Sequence, residues 1–232
     1  MDIEMPEKIL IDVCIASYKR QQLLAQLLAS LAAQNLPGNL ALNLIVVDND
    51  PDGTAREPVK AASAGGLKIK YFLQPKQNIA LTRNMGVANS TAEYIAFIDD
   101  DEYAEPDWIN SLYQTMQKFN ADVVFGPVTG VMPADAPAWM KQGKFFERER
   151  YATGPPVAGR GTGNVLLRAA ALPDKVSPFN PKYGLSGGED TDFFKRLSSH
   201  GRKFIWCDEA EVWEAVLPER LSLKWLFRRS FR

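Results

Sequence analysis

The sequence predicts an α/β domain built on a mostly parallel sheet flanked by helices. Three observations carry this: short apolar, β-branched runs alternate with stretches of helical periodicity, the runs are apolar on both faces, and several stop abruptly in polar or acidic turns. Strands covered by helices on both sides bury both faces and therefore read as continuous apolar runs.

Ile9 to Ala16 (ILIDVCIA) is the first such run, and Ser17 stands where strand gives way to helix. From Gln21 to Gln34, Leu24, Leu28 and Leu31 recur at helical spacing, and Pro37-Gly38 stops the helix. A second strand, Leu42 to Val47, ends in the turn cluster Asp48-Asn49-Asp50-Pro51-Asp52-Gly53. A helix over Glu57 to Ala64 precedes a strand over Ile69 to Leu73; a helix over Asn78 to Ala88 precedes a strand over Tyr94 to Ile98, which meets three consecutive aspartates. After Pro106 the pattern gives a helix to about Asn120 and a strand over Asp122 to Phe125. Residues 126–163 are rich in Gly, Pro and aromatic residues with little periodicity, the texture of a functional loop region. Asn164 to Arg168 resumes as strand, Asp190 to His200 as helix and Phe204 to Cys207 as a short strand. In such sheets ligands bind beyond the carboxyl ends of the strands.

Composition narrows the function classes. A chain of 232 residues, 46% hydrophobic, buries one sizeable core. With 27 Lys and Arg against 28 Asp and Glu, the overall charge offers no reason to propose nucleic acid as a partner. Cys14 and Cys207 lie far apart in apolar runs, which fits two buried thiols in a reducing, cytoplasmic setting better than a disulfide framework. The start, MDIEMPEK, lacks the apolar stretch of a signal peptide, and no run reaches the roughly 18 apolar residues of a membrane span.

The strongest local signal is Asp99-Asp100-Asp101-Glu102, directly after a buried strand. Like charges this close repel unless neutralised, and hard divalent cations take oxygen ligands that they share with substrate phosphates. The alternative is a solvated acidic turn. Asp48 and Asn49 end another strand, where they either contact a nucleobase or ribose or form an Asx turn. Arg83, in the segment from Asn78 to Gly86, has the fork that grips phosphate oxygens. Glu189-Asp190 follows Gly187-Gly188 at a helix start, which suits a general base or an N-cap.

Together, Ala16-Ser17-Tyr18, Val46-Val47-Asp48-Asn49-Asp50, Asn78 to Gly86 with Arg83, Phe97-Ile98-Asp99-Asp100-Asp101 and Gly188-Glu189-Asp190 resemble the inverting family 2 glycosyltransferases of GT-A fold, over roughly residues 9 to 215. The resemblance implies a Rossmann-like domain over 1–215. Its nucleotide-sugar-binding half would span about 1–125 and its acceptor half, with the catalytic base, 126–215. It implies a divalent metal, Mn²⁺ or Mg²⁺, held by Asp101 and Asp99 as outer acids of a DXD motif with Asp100 between them. It places Ala16, Ser17, Tyr18, Arg20, Asp48, Asn49, Asn78 and Arg83 on the donor, with Asn49 standing where the family more often has aspartate. Asp190 matches the catalytic base and Glu189 its acidic neighbour. Family members often carry a late histidine near the diphosphate, whereas this chain has only His200, and Glu214 lies nearer the expected place. The implied reaction moves a sugar from a nucleotide-diphosphate sugar, UDP-linked above all, to a hydroxyl of a saccharide or lipid-linked acceptor in cell-surface polysaccharide or lipopolysaccharide assembly.

Trp139, Gly163 and Asn164 are read as acceptor-side candidates, since aromatic faces stack on sugar rings and Gly-rich turns allow close approach. Over residues 216–232, Arg220, Lys224, Arg228 and Arg232 recur every four residues beside Leu223, Trp225, Leu226, Phe227 and Phe231. That pattern is a basic amphipathic helix suited to an anionic membrane surface, as in a peripheral protein on the inner face of the cytoplasmic membrane. The abrupt end at Phe231-Arg232 reads as a truncation. Two rivals remain at this stage. A non-catalytic Mg²⁺-binding signalling domain offers no role for Glu189-Asp190. A sugar nucleotidyltransferase calls for a glycine-rich phosphate loop, and Ser17-Tyr18-Lys19-Arg20 has no glycine.

Overall fold

The computed structural model describes residues 8–230. The elements run β1 (Ile9–Ser17), α1 (Gln21–Ala32), β2 (Leu40–Asp48), α2 (Arg56–Ala64), β3 (Ile69–Leu73), α3 (Ile79–Ala88), β4 (Tyr94–Ile98) and β5 (Glu102–Ala104). They continue with α4 (Trp108–Phe119), β6 (Val123–Phe125), β7 (Val128–Val131), α5 (Ala138–Gln142), β8 (Asn164–Arg168), α6 (Glu189–Ser199), β9 (Phe204–Trp206), β10 (Val212–Ala215) and α7 (Leu223–Ser230). Seven strands form the main sheet in the order β3-β2-β1-β4-β8-β6-β9. Only β8 runs against its neighbours β4 and β6; every other pairing in that sheet is parallel. The expected mostly parallel α/β sheet is therefore present.

The runs that read as buried strands are buried. All five residues of β4 are inaccessible, as are Ile11, Val13, Cys14 and Ile15 of β1. One face packs Leu24, Leu27, Leu28 and Leu31 of α1 and Trp108, Ile109, Leu112 and Met116 of α4. The other packs Ala80 and Val87 of α3 against Phe193, Phe194 and Leu197 of α6. At roughly 1.5–3 kcal/mol for each large apolar side chain buried, these two layers dominate the fold's stability. Cys14 and Cys207 are both buried and unpaired, as expected.

Four elements escape the sequence reading: β5, β7, β10 and α5. The three strands form a second, small sheet in the order β5-β10-β7. Each is three or four residues long, and two lie in or beside stretches that read as turn or loop. Their pairing is decided by contacts across more than eighty residues, such as Glu214 opposite Glu102, which no local pattern announces. This sheet matters because it carries Glu214 to the acidic turn after β4.

The order of strands reverses between β1 and β4, since β1 continues to β2 and β3 on one side while β4 leads to β8 on the other. A crevice opens beyond the carboxyl ends of strands at such a point. Ser17 ends β1 there, and Asp99 follows β4.

Candidate active site

The acidic turn after β4 is held rigidly. Asp100 is 4% exposed and accepts hydrogen bonds from the Tyr18 amide at 3.2 Å and the Arg20 guanidinium at 2.8 Å. Lys19 adopts a left-handed backbone, φ 56°, in the turn that leads Arg20 to this position. Arg20 also reaches Asp101 at 3.0 Å, and Arg220 meets the same Asp101 carboxylate at 2.7 Å. Arg220 in turn pairs with Glu214, and Glu214 with Arg148. The ion pairs thus form a chain from Asp100 through Arg20, Asp101, Arg220 and Glu214 to Arg148. Burial, then the neighbouring Asp99, Glu214 and Asp100, push the Asp101 carboxyl up to about 6 against the pull of Arg20. Burial and Asp99 raise Glu102 well above the ordinary carboxylate range.

A cleft of about 420 Å³ lies over this turn. Ala16, Ser17, Tyr18, Arg20, Asn49, Arg83, Asp99, Asp100 and Asp101 all line it, so nine of the candidates on the donor or metal side come together from four separate stretches of chain. Arg83 is 8% exposed, on the first turns of α3, and is pinned by Asp99 at 3.0 Å and by Glu189. Asp48 and Asn78 do not line the cleft. The Asp48 carboxylate accepts from the amides of Asp50 and Ala55 and from the Tyr71 hydroxyl, which fixes the turn after β2. Asn78 caps α3 through Leu81, and its own amide donates to Asn49. Asn49 lines the cleft, yet its side chain is engaged with the carbonyls of Gln74 and Lys76.

A second cleft of about 420 Å³ adjoins the first, and Asp99 lines both. Asp190, Gly163 and Asn164 line this second cleft. Helix α6 begins at Glu189 with Gly188 at its cap, φ 93°, so Asp190 is free of the N-cap duty that was the alternative reading. Its carboxylate accepts from the Thr191 amide at 2.6 Å and is partly exposed to the cleft. Glu189 is buried against Arg83. Its acid is raised, chiefly by burial. Asn164 is 2% exposed and binds the carbonyls of Pro127 and Ala210 and the Trp108 indole, which makes it a brace for the cleft floor. Trp139 lies outside both clefts, 41% exposed with its ring edge-on to Phe145.

The tail corrects the sequence reading. Arg220 precedes α7 in a short 3-10 turn, Pro218–Arg220, and its guanidinium turns inward to Asp101 and Glu214. It does not belong to a solvent-facing basic stripe. A buried carboxylate pair draws it in more strongly than periodicity holds it out. Trp225 and Leu226 pack on the small cluster of Met140, Phe146 and Val216. Arg232 and Phe231 lie outside the described residues. Arg220 and Arg148 were legible as site residues only through their partners.

The glycosyl transferase family 2 model matches residues 12–174. This chain belongs to that family. It is 38% identical over 230 residues to the succinoglycan biosynthesis protein ExoM of Rhizobium meliloti, covering 98% of this chain and 74% of ExoM. Over 243 residues it is 26% identical to the glucosyl-dolichyl phosphate glucuronosyltransferase of Haloferax volcanii, covering 97% of this chain and 74% of that protein. Among solved structures, the S. aureus TarS fragment 1-349 in complex with UDP superposes with a TM-score of 0.69 at 21% identity. That match covers 91% of this chain and 62% of the fragment, so the chain spans less than two thirds of it. The fold is the GT-A fold that the resemblance implied, and the family is one of glycosyltransferases. The signalling-domain and nucleotidyltransferase readings are not favoured.

Proposed function

We propose that this glycosyltransferase transfers a sugar from a UDP-sugar, with inversion, to a hydroxyl of a saccharide or lipid-linked acceptor during cell-surface polysaccharide assembly. One observation carries the reading: a cleft lined by Arg20, Arg83 and Arg220 meets a cleft holding Asp190, with Asp99 common to both. Guanidinium groups suit a diphosphate, and the shared wall is where the anomeric carbon would sit. From the second cleft, Asp190 takes the proton of the acceptor hydroxyl as its oxygen attacks; Arg83 and Arg20 face the charge that develops on the departing diphosphate. Attack and departure on opposite sides of one carbon invert its configuration. The polysaccharide setting is supported by the name of the ExoM relative, and UDP by the ligand bound to TarS.

A divalent cation, Mg²⁺ or Mn²⁺, fits the residues present. Among the described residues no three His, Cys, Asp or Glu side chains gather as a metal cage. Asp99 and Asp101 nevertheless present hard oxygens on one cleft wall. Two carboxylates completed by substrate phosphates and water is the usual way Mg²⁺ is held. The cation would supply charge neutralisation of the diphosphate, beside Arg20 and Arg220, which both pair with Asp101.

Calorimetric titration with UDP, GDP and dTDP, with and without Mn²⁺, tests the donor site. UDP binding that needs Mn²⁺ and disappears in Asp101→Ala is the expected result; no nucleotide binding under either condition would sink the reading. Asp190→Asn should keep UDP affinity within about twofold and lower kcat by about 10²–10⁴-fold, the usual contribution of a general base.

A further inference from the structure

We propose that a third cleft, continuous with the second, binds a neutral sugar unit of the acceptor, so that this enzyme extends an oligosaccharide and not a lone monosaccharide. The inference rests on the reading of the second cleft as the acceptor side and deepens it: the unit next to the one that takes the sugar sits between β7 and residues 141–150.

The third cleft measures about 330 Å³ and is lined from both β7 and α5. It shares Val128, Arg148 and Glu149 with the second cleft and, among the described residues, none with the donor cleft. The three clefts therefore follow one another, with Asp99 at the first junction and those three residues at the second. A saccharide whose hydroxyl stands at Asp190, and whose remainder turns away from the donor, runs into the third cleft. Its size falls within the range of about 300–1,000 Å³ typical of small-molecule sites.

The walls of this cleft suit a pyranose ring. Val128, Gly130, Met132 and Phe146, buried or half-buried, make the floor, and the exposed side chains of Lys141, Lys144, Glu147 and Arg150 make the rim. Gly130 permits that floor, since a Cβ there would stand 3.1 Å from the Cβ of Phe146, closer than ordinary contact. A sugar ring has the same division, with C–H groups on its faces and hydroxyls around its edge. Each hydroxyl both donates and accepts, and the rim offers both, because lysine and arginine donate and glutamate accepts. The rim is also balanced in charge: Lys144 pairs with Glu147, Arg150 with Asp208 and Glu211, Arg148 with Glu214, and Glu149 with Arg160. Lys141 donates to the Ala134 carbonyl. An ionic ligand would have to break such a pair, whereas hydroxyls join the pairs at their remaining donors and lone pairs. That balance selects a neutral ligand over a charged one.

Calorimetry with glucose, cellotriose and laminaritriose, in the presence of UDP and Mg²⁺, tests the subsite. The better of the two trisaccharides should bind about tenfold more tightly than glucose, the effect of an added sugar contact. Met132→Trp, which fills the floor, should abolish that advantage and leave UDP affinity unchanged. Because Met132 also packs on the small cluster of Met140, Phe146 and Val216, the double variant Lys144→Ala, Glu147→Ala gives a second reading on exposed rim residues, where the advantage should shrink severalfold. A trisaccharide no tighter than glucose, an advantage kept in both variants, or tighter binding of trigalacturonate than of either neutral trisaccharide would overturn the subsite. UDP, titrated in the same series, reports separately on the donor reading. UDP that binds with no chain-length advantage removes the subsite alone; if UDP fails to bind, the donor assignment fails, and the length advantage and its loss in the variants still decide the subsite.

Discussion

Asp101 illustrates how much of this site is electrostatics at single residues. Its folded-state acid lies at about 6, above the ordinary 3.8, because burial and three nearby carboxylates outweigh Arg20. Between those values the folded protein holds a proton that the unfolded chain has released. The stability contribution is therefore complete below about pH 4 and is lost as pH rises through about 6. Thermal unfolding in metal-free buffer should show stability falling over that window, and Asp101→Asn, which carries no titrating group there, should make that fall less steep, the raised Glu102 and Glu189 still contributing. An unchanged slope in the variant would remove the claim. The residue types at this site were legible from the three aspartates after an apolar run, from Arg83 and from Asp190. Arg220 was not: four-residue spacing assigned it to a surface stripe, and only the buried carboxylates of Asp101 and Glu214 explain its inward turn.

At the scale of elements, the clefts depend on close approaches between segments distant in sequence. Gly184 is one of them, since a Cβ there would overlap the side chain of Asn78, the cap of α3. The Ile79 amide also donates to the Gly184 carbonyl at 3.1 Å, so this contact seats α3, and with it Arg83, under the donor cleft. Gly184→Ala should cost about 2 kcal/mol, the range of an overpacked or uncapped site, and weaken UDP binding as well. Equilibrium denaturation and calorimetry check both; wild-type values for both would show that the loop yields freely. The five-residue strands β3, β4 and β8 match the sequence reading residue for residue, because each is an apolar run bounded by turns. The short strands β5, β7 and β10 were invisible because their few residues gain order from partners, not from propensity.

For the whole molecule, the two clefts share one wall and lie on the face that carries α7. The outer residues of that helix set apolar bulk beside positive charge: Leu223 is 64% and Phe227 67% exposed, with Lys224 and Arg228 also exposed. No helix among the described residues is long and apolar enough to cross a membrane. We propose that this face meets an anionic membrane surface, narrowed from residues 220–232 by the loss of Arg220 to the cleft. At about 1 kcal/mol for each basic residue near such a surface, Lys224→Gln with Arg228→Gln should weaken sedimentation with phosphatidylglycerol vesicles roughly thirtyfold. Equal binding to neutral phosphatidylcholine vesicles would remove the electrostatic argument.

By itself, the sequence determined the layered α/β class, the buried strands and the acidic turns at their ends, because periodicity and turn chemistry act between near neighbours. Tertiary structure alone decided that nine donor and metal candidates share one cleft, that Asp48 and Asn164 brace while Asp190 faces open space, and that Arg220 belongs to a cleft. Those outcomes depend on which charges and donors meet across a hundred residues of chain, and burial makes such meetings strong without leaving a local trace.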